Sequence, residues 1–245
     1  MNNLVIITVL VLVVLYYRIT IAGADHHLLK PIEYKDLKTG DIWLGRYDFS
    51  NRPDLWHAHA FFAVHDAMLG RRFSHCGVIY RDPTAFRDRG PEGLYVFMTQ
   101  SVPYEKDEPI SQKPYGGVGS FLVPIEVVMH QYRYNAITPI ARAVPDDLFR
   151  AVMEKNNTLH EHLADSAWDY TLIAPAYITS APLKLTNKSV CTDHVSWILR
   201  DCGVVNINRP VVWPSDLYSD GTPSWDWIHF GDGQKFLKTR RVGYQ

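Results

Sequence analysis

The sequence is poor in cysteine, and the shortage excludes one common way of building a stable domain. Three cysteines, Cys76, Cys191 and Cys202, in 245 residues are too sparse, and odd in number, for a disulfide framework. They read as reduced thiols, one of which is available for chemistry. Net charge is also missing. Lysine and arginine total 25 against 26 aspartates and glutamates, for a net charge of -1. No broad positive field is left to supply the electrostatic term that dominates nucleic-acid affinity, so nucleic acid is set aside as a main partner. Repeats, low-complexity tracts and long linkers are lacking beyond about residue 28, which makes residues 28–245 one unit. With 47% hydrophobic side chains, that unit can bury one substantial core.

Long apolar runs are scarce too, with one exception at the N-terminus. From Leu4 to Tyr17 the chain reads LVIITVLVLVVLYY without a charge; Arg18 interrupts, and ITIAGA restores the apolar character to Ala24. A membrane-spanning helix needs roughly 20 apolar residues. Residues 4–24 reach that length only if Arg18 snorkels to the interface, where Tyr16 and Tyr17 are also favoured. The competing reading is a cleaved secretory signal, because Ala22-Gly23-Ala24 has the small-x-small form of a cleavage site. Met-Asn-Asn offers no basic n-region, and Arg18 falls where the c-region should be uncharged; both favour the uncleaved anchor. Residues 1–27 are therefore an anchor or signal segment. Arg18, Lys30, Lys35 and Lys38 on its C-terminal side place the domain in the cytosol by the positive-inside rule. Cleavage would make it secreted or luminal, and only there would the sequons at Asn156 and Asn187 matter.

Turn signals divide the remainder into elements. Thr39-Gly40-Asp41 precedes a short strand, Ile42 to Leu44, and Asp54 caps a helix running to Leu69. Strands are expected over Ser74–Tyr80 and Leu94–Gln100. Val118 to Met129 changes from strand to helix after Pro124, Ala136 to Arg142 is a further strand, and Pro145-Asp146-Asp147 starts a helix to about Leu163. A last helix runs from Cys191 to Cys202, stopped by Gly203, before a Pro/Trp-rich tail that wraps over the core. The economical architecture is α+β with an antiparallel sheet packed against helices.

A thiol enzyme needs a cysteine held as thiolate, a base within hydrogen-bond reach and a group orienting the base. Cys191 opens the run CTDHVSWILRDCG, with Val195, Ile198, Leu199 and Cys202 on the same helical face. That puts it at a helix N-terminus, facing inward, where the unpaired N–H groups and the dipole stabilise a thiolate and an oxyanion. Cys202 lies about 16 Å further along the axis by helical rise and belongs to the core. Cys76 follows His75 on a strand, where neighbours point to opposite faces, so if His75 faces the site Cys76 does not. Gly77, two residues after His75 on the same face, leaves room for another element to approach. His194, three residues after Cys191, is a structural or solvent-facing residue. His57, His59 and His65 are poorly aligned on a helix for one metal ion. Trp213, Trp225 and Trp227 cover a core edge or line a substrate groove.

In order, Gly40-Asp41-Ile42, Ser74-His75-Cys76-Gly77-Val78-Ile79, Asp169-Tyr170, Val190-Cys191-Thr192-Asp193 and Trp213-Pro214-Ser215-Asp216-Leu217 resemble the circularly permuted papain-like enzymes of the NlpC superfamily, the YiiX/YaeF-like group. Lecithin:retinol acyltransferase and its relatives are similar in arrangement. The resemblance implies a permuted papain-like fold, Cys191 as nucleophile and His75 as its base. The family places a polar residue, often glutamate, on the next strand to orient the imidazole. Here LYVFMTQS puts Met98 at that position. Gln100 on the same face is the nominee, since an amide orients a histidine without charge, and Thr99 is the alternate if a bulge shifts the register.

The resulting expectation is a membrane-tethered cysteine hydrolase or acyltransferase that cleaves an amide, thioester or ester bond through an acyl-enzyme. Its substrate would be a peptide, a lipid or a lipidated protein, with no metal and no organic cofactor. The alternative is a catalytically inactive, membrane-anchored binding or scaffold protein on the same fold, motivated by the missing glutamate.

Overall fold

Three successive strands whose central residues are buried build the centre of the molecule, as seen in a computed structural model that describes residues 28–47, 73–81, 93–100, 119–163, 191–208, 212, 214–221 and 226–242, with Thr8, Val11 and Leu12 near the N-terminus. These strands are β2 (Ile42–Tyr47), β3 (His75–Arg81) and β4 (Leu94–Gln100). Side chains on a strand alternate between faces, and the alternation sorts them into two cores. Ile42, Leu44, Cys76, Val78, Tyr80, Tyr95 and Phe97 share one cluster. Trp43, Ile79, Leu94, Val96 and Met98 share the other.

Strands β5 (Gly119–Pro124), β6 (Tyr132–Thr138) and β9 (Arg240–Val242), with the two-residue β1 (Pro31–Ile32), complete a seven-stranded sheet in the order β1-β9-β6-β2-β3-β4-β5. Every neighbouring pair is antiparallel except β1 and β9. Helix α1 (Ile125–Gln131) covers the Trp43 face through Ile125, Val127, Val128 and Met129. The opposite face is covered by α2 (Asp146–Leu163) through Phe149 and Val152, and by α3 (Cys191–Asp201) through Val195, Ile198 and Leu199. The architecture is α+β, a mostly antiparallel sheet packed against helices. A second sheet pairs β7 (Val205–Ile207) with β8 (Ile228–Phe230).

Local chemistry fixes the element that carries Cys191. Gly203 follows α3 with φ +69°, a left-handed conformation that costs glycine nothing. Its N–H bonds Arg200 O, and the Val204 N–H bonds Leu199 O, the paired closure of a Schellman ending. The strand expected over Ala136–Arg142 begins earlier, at Tyr132, and stops at Thr138, because Pro139 has no N–H for the ladder. Strands β1, β7, β8 and β9 are two or three residues long, too short to show alternation. The helix expected over 54–69 lies outside the described residues. So does segment 4–24 apart from Thr8, Val11 and Leu12, which are helical and exposed. Among the described residues no helix is long and apolar enough to cross a membrane.

Asp41 ties the turn before β2 to the end of β6. Its carboxylate accepts from Lys38 N and from Ile140 N, both at 3.0 Å. Burial raises it to about 6, outweighing those two donors and the charges of Lys38 and Arg81. The protonated form is thus favoured in the folded state relative to the unfolded value of 3.8. This stabilising contribution is complete below about pH 3.8 and is lost as the pH rises through about 6, a change of about 3 kcal/mol at ~1.4 kcal/mol per unit. Asp41→Asn cannot titrate. Denaturant titrations from about pH 3.5 to about pH 7 should show wild type losing about 3 kcal/mol relative to that variant; parallel curves would rule the effect out.

Candidate active site

Cys191 is the first residue of α3, a helix that packs against β3. It is buried, 4% exposed, within the cluster that holds Cys76, Val78 and Phe97. Its thiol lies close enough to Cys76 and His75 for both side chains to bear on its ionisation. The structure therefore places Cys191 beside both His75 and Cys76. The exclusion of Cys76 is corrected. Alternation separates the directions of consecutive side chains, but their Cα atoms are only about 3.8 Å apart, so a helix tip landing on the strand's first two residues meets both.

Electrostatics divides the two sulfurs. Cys191 is held well below the usual thiol range, first by the hydrogen bond from Cys76, then, against the cost of burial, by the charge and hydrogen bond of His75 and by the Cys76 backbone. Cys76 is pushed well above it by burial, by its bond to Cys191 and by the negative charges of Cys191 and Asp193. Cys191 sits at the end of an eleven-residue helix, where dipole and free N–H groups favour negative charge. Negative charge is thus favoured on Cys191 and disfavoured on Cys76. Cys202 is pushed up to about 12 by burial and by Asp201, and it lines the core at 8% exposure.

The imidazole of His75 is framed by two aromatic rings that the sequence reading did not assign to the site. It stacks on Tyr132 with centroids 5.6 Å apart and planes 3° apart, and meets Trp43 edge-on at 5.9 Å and 77°. Trp43 in turn meets Tyr132 edge-on at 4.7 Å. Asn135 locks this group from behind. Its Oδ1 accepts from Trp43 Nε1 at 3.0 Å, and its Nδ2 donates to Tyr132 O at 2.7 Å and to Met129 O at 3.3 Å. Gly45, paired with His75 across β2 and β3, makes room for the indole: a Cβ there would overlap the Trp43 ring and come within 2.8 Å of Tyr132. Gly77 is needed for a different contact, since its Cβ would lie 2.6 Å from Val96 and 2.9 Å from the Phe97 carbonyl. Its missing side chain admits β4, not the thiol-bearing helix.

The β3–β4 register pairs Val78 with Phe97, and three further steps would set His75 against Gln100, the last residue of β4. The Gln100 side chain lies outside the described residues. Thr99 is buried, on the Cys76 side of the sheet by alternation, and its Oγ1 has no hydrogen-bond partner among the described residues. The same holds for His75 Nε2 and for Thr192 Oγ1. Met98 is fully buried in the Trp43 cluster.

His194 does not face solvent: it is fully buried, with its ring 4.8 Å from that of Phe97. Pro214–Leu217 forms a short 3-10 turn, and Trp227 packs against the core. Asp169, Tyr170, Trp213 and Trp225 lie outside the described residues, as do His57, His59 and His65. Among the described residues no group of three or more His, Cys, Asp or Glu is placed to hold a metal ion. Against known proteins, the chain matches no family model, no curated protein and no solved structure.

Proposed function

We propose that this chain is a cysteine-dependent hydrolase or acyltransferase with a permuted papain-like arrangement of the NlpC type, held at a membrane by residues 4–24. The observation that carries the reading is the placement of a helix-terminal Cys191 beside His75, whose imidazole helps to hold the thiol below its ordinary range. In this reaction the Cys191 thiolate adds to the carbonyl carbon of an amide, thioester or ester. N–H groups at the start of α3 stabilise the oxyanion. As the tetrahedral adduct collapses, the carbon–heteroatom bond breaks and imidazolium at His75 gives its proton to the leaving group. Water, or a second acceptor, then attacks the thioester, losing its proton to the imidazole and releasing the Cys191 thiolate. Gln100 is the residue assigned to orient His75, from its register position. The hydrophobic N-terminal segment favours acyl lipids or lipidated proteins over free peptides.

A thiol-reactive acyl probe at neutral pH tests the reading. Cys191 should label first, His75→Ala should suppress that labelling, and a panel of phospholipid vesicles, acyl thioesters and peptides should reveal turnover. Labelling of Cys76 before Cys191, or labelling indifferent to His75→Ala, would identify a binding or scaffold protein on the same fold.

A further inference from the structure

Cys76 forms no bond to substrate in the acyl chemistry, yet it is fully buried in the same core cluster as Cys191, and the two thiols act on one another. We propose that Cys76 and Cys191 form a modification site, an intramolecular dithiol that a hydroperoxide converts into a reversible disulfide. Both side chains lie in one core cluster, at the junction of β3 and α3. A disulfide would set the two sulfurs about 2.0 Å apart. Cys202 cannot compete with Cys76, because it follows Cys191 by eleven positions and stands about 16 Å along the helix by its rise.

The pair also divides the chemistry between its members. Cys191, the more acidic sulfur, attacks the terminal oxygen of the hydroperoxide: an S–O bond forms, the O–O bond breaks, and the departing alkoxide or hydroxide takes up a proton. Cys191 is now a sulfenic acid. Cys76 then attacks the sulfenic sulfur. The S–S bond forms, the S–O bond breaks, and the leaving hydroxide takes the Cys76 proton as water. Two thiols have lost two electrons and two protons, and the hydroperoxide has become an alcohol, or water, plus water. Lodging the oxidised sulfur in a disulfide keeps Cys191 from the irreversible sulfinic and sulfonic levels, and a dithiol reductant restores it. The inference rests on the pairing of the two sulfurs alone and holds whether or not Cys191 turns over an acyl substrate.

The full-length reduced protein treated with limiting hydrogen peroxide, then alkylated and digested, tests this directly. Alkylation should be lost at Cys76 and Cys191 together and retained at Cys202. A cross-linked peptide pair should appear, lighter by two hydrogens, and dithiothreitol should reverse both changes. In Cys76→Ser, the same dose should carry Cys191 on to sulfinic acid. Sulfinic acid at Cys191 in wild type without the cross-link, a cross-link to Cys202, or unchanged alkylation would each overturn the proposal. The wild-type measurement needs no variant to fold.

Discussion

Alkylation of Cys191 by a small neutral reagent such as iodoacetamide should reach its full rate well below the pH at which an ordinary cysteine ionises, and His75→Ala should move that rise upward. Only the thiolate reacts, so the rate at each pH reports the ionised fraction. In wild type the hydrogen bond from Cys76 leads the contributions that lower Cys191, and the charge and hydrogen bond of His75 add to it against the penalty of burial. Removing the imidazole deletes two lowering contributions and leaves the burial penalty in place, so the sign is fixed. Below the midpoint, each unit of upward shift costs about tenfold in rate. Cys76→Ala should raise the profile as well, because it removes the leading donor. Cys202, pushed up to about 12, should stay unreactive at neutral pH and serves as the internal reference. A profile for Cys191 that is unchanged in His75→Ala would remove the imidazole from any role at the sulfur.

How much of this was legible in the sequence depended on whether a residue announced itself by period or only by partner. The strand-to-helix change at Pro124 and the stop at Gly203 are local events, with proline ending a strand and glycine closing a helix. Both fall where the sequence placed them: β5 ends at Pro124 and α1 begins at Ile125, while Gly203 takes the left-handed conformation. Cys191 and His75 were legible because a helix start and a strand start are positional signals. Trp43, Tyr132 and Asn135 were not. Their roles rest on a cross-strand arrangement in which β6 pairs with β2 over Ile42–Tyr47, with a register irregularity between Arg46 and Tyr47. Nothing in a single strand's pattern reports such an irregularity. Gly45 was the available signal, since a glycine two positions after a tryptophan on one strand face marks space that a large ring can occupy.

Cys76 illustrates the opposite limit. The alternation rule that set it aside is obeyed along β3, for Cys76 and Val78 lie in one core and Ile79 in the other. The rule describes a strand's two faces, whereas the helix tip approaches the strand's beginning, where His75 is only partly enclosed. A site built at the end of an element therefore collects side chains that the interior of the same element would keep apart. The consequence is chemical. A second sulfur stands beside Cys191 and favours negative charge on it.

Trp43→Ala should produce the largest loss of stability of any single change around His75, about 3–5 kcal/mol for a fully buried tryptophan, or a fall in Tm of roughly 10 °C for a domain of this size. The indole is completely buried, touches both His75 and Tyr132 edge-on, and donates to Asn135. Trp43→Phe separates these contributions. It keeps an aromatic ring in the space that Gly45 leaves open, but it removes the indole donor to the buried Asn135 Oδ1, a loss of about 1–3 kcal/mol. If the aromatic frame positions the imidazole as well as filling the core, the Cys191 alkylation profile in Trp43→Phe should shift upward toward that of His75→Ala. If Trp43 only packs, denaturant stability should fall while the profile stays in place. We expect the shift, because Tyr132 is held by Asn135 through its own carbonyl. Loss of the indole donor therefore loosens both rings that bracket His75. Reading stability and thiol ionisation on the same variant distinguishes a ring that holds up the sheet from one that also aims the imidazole at the sulfur.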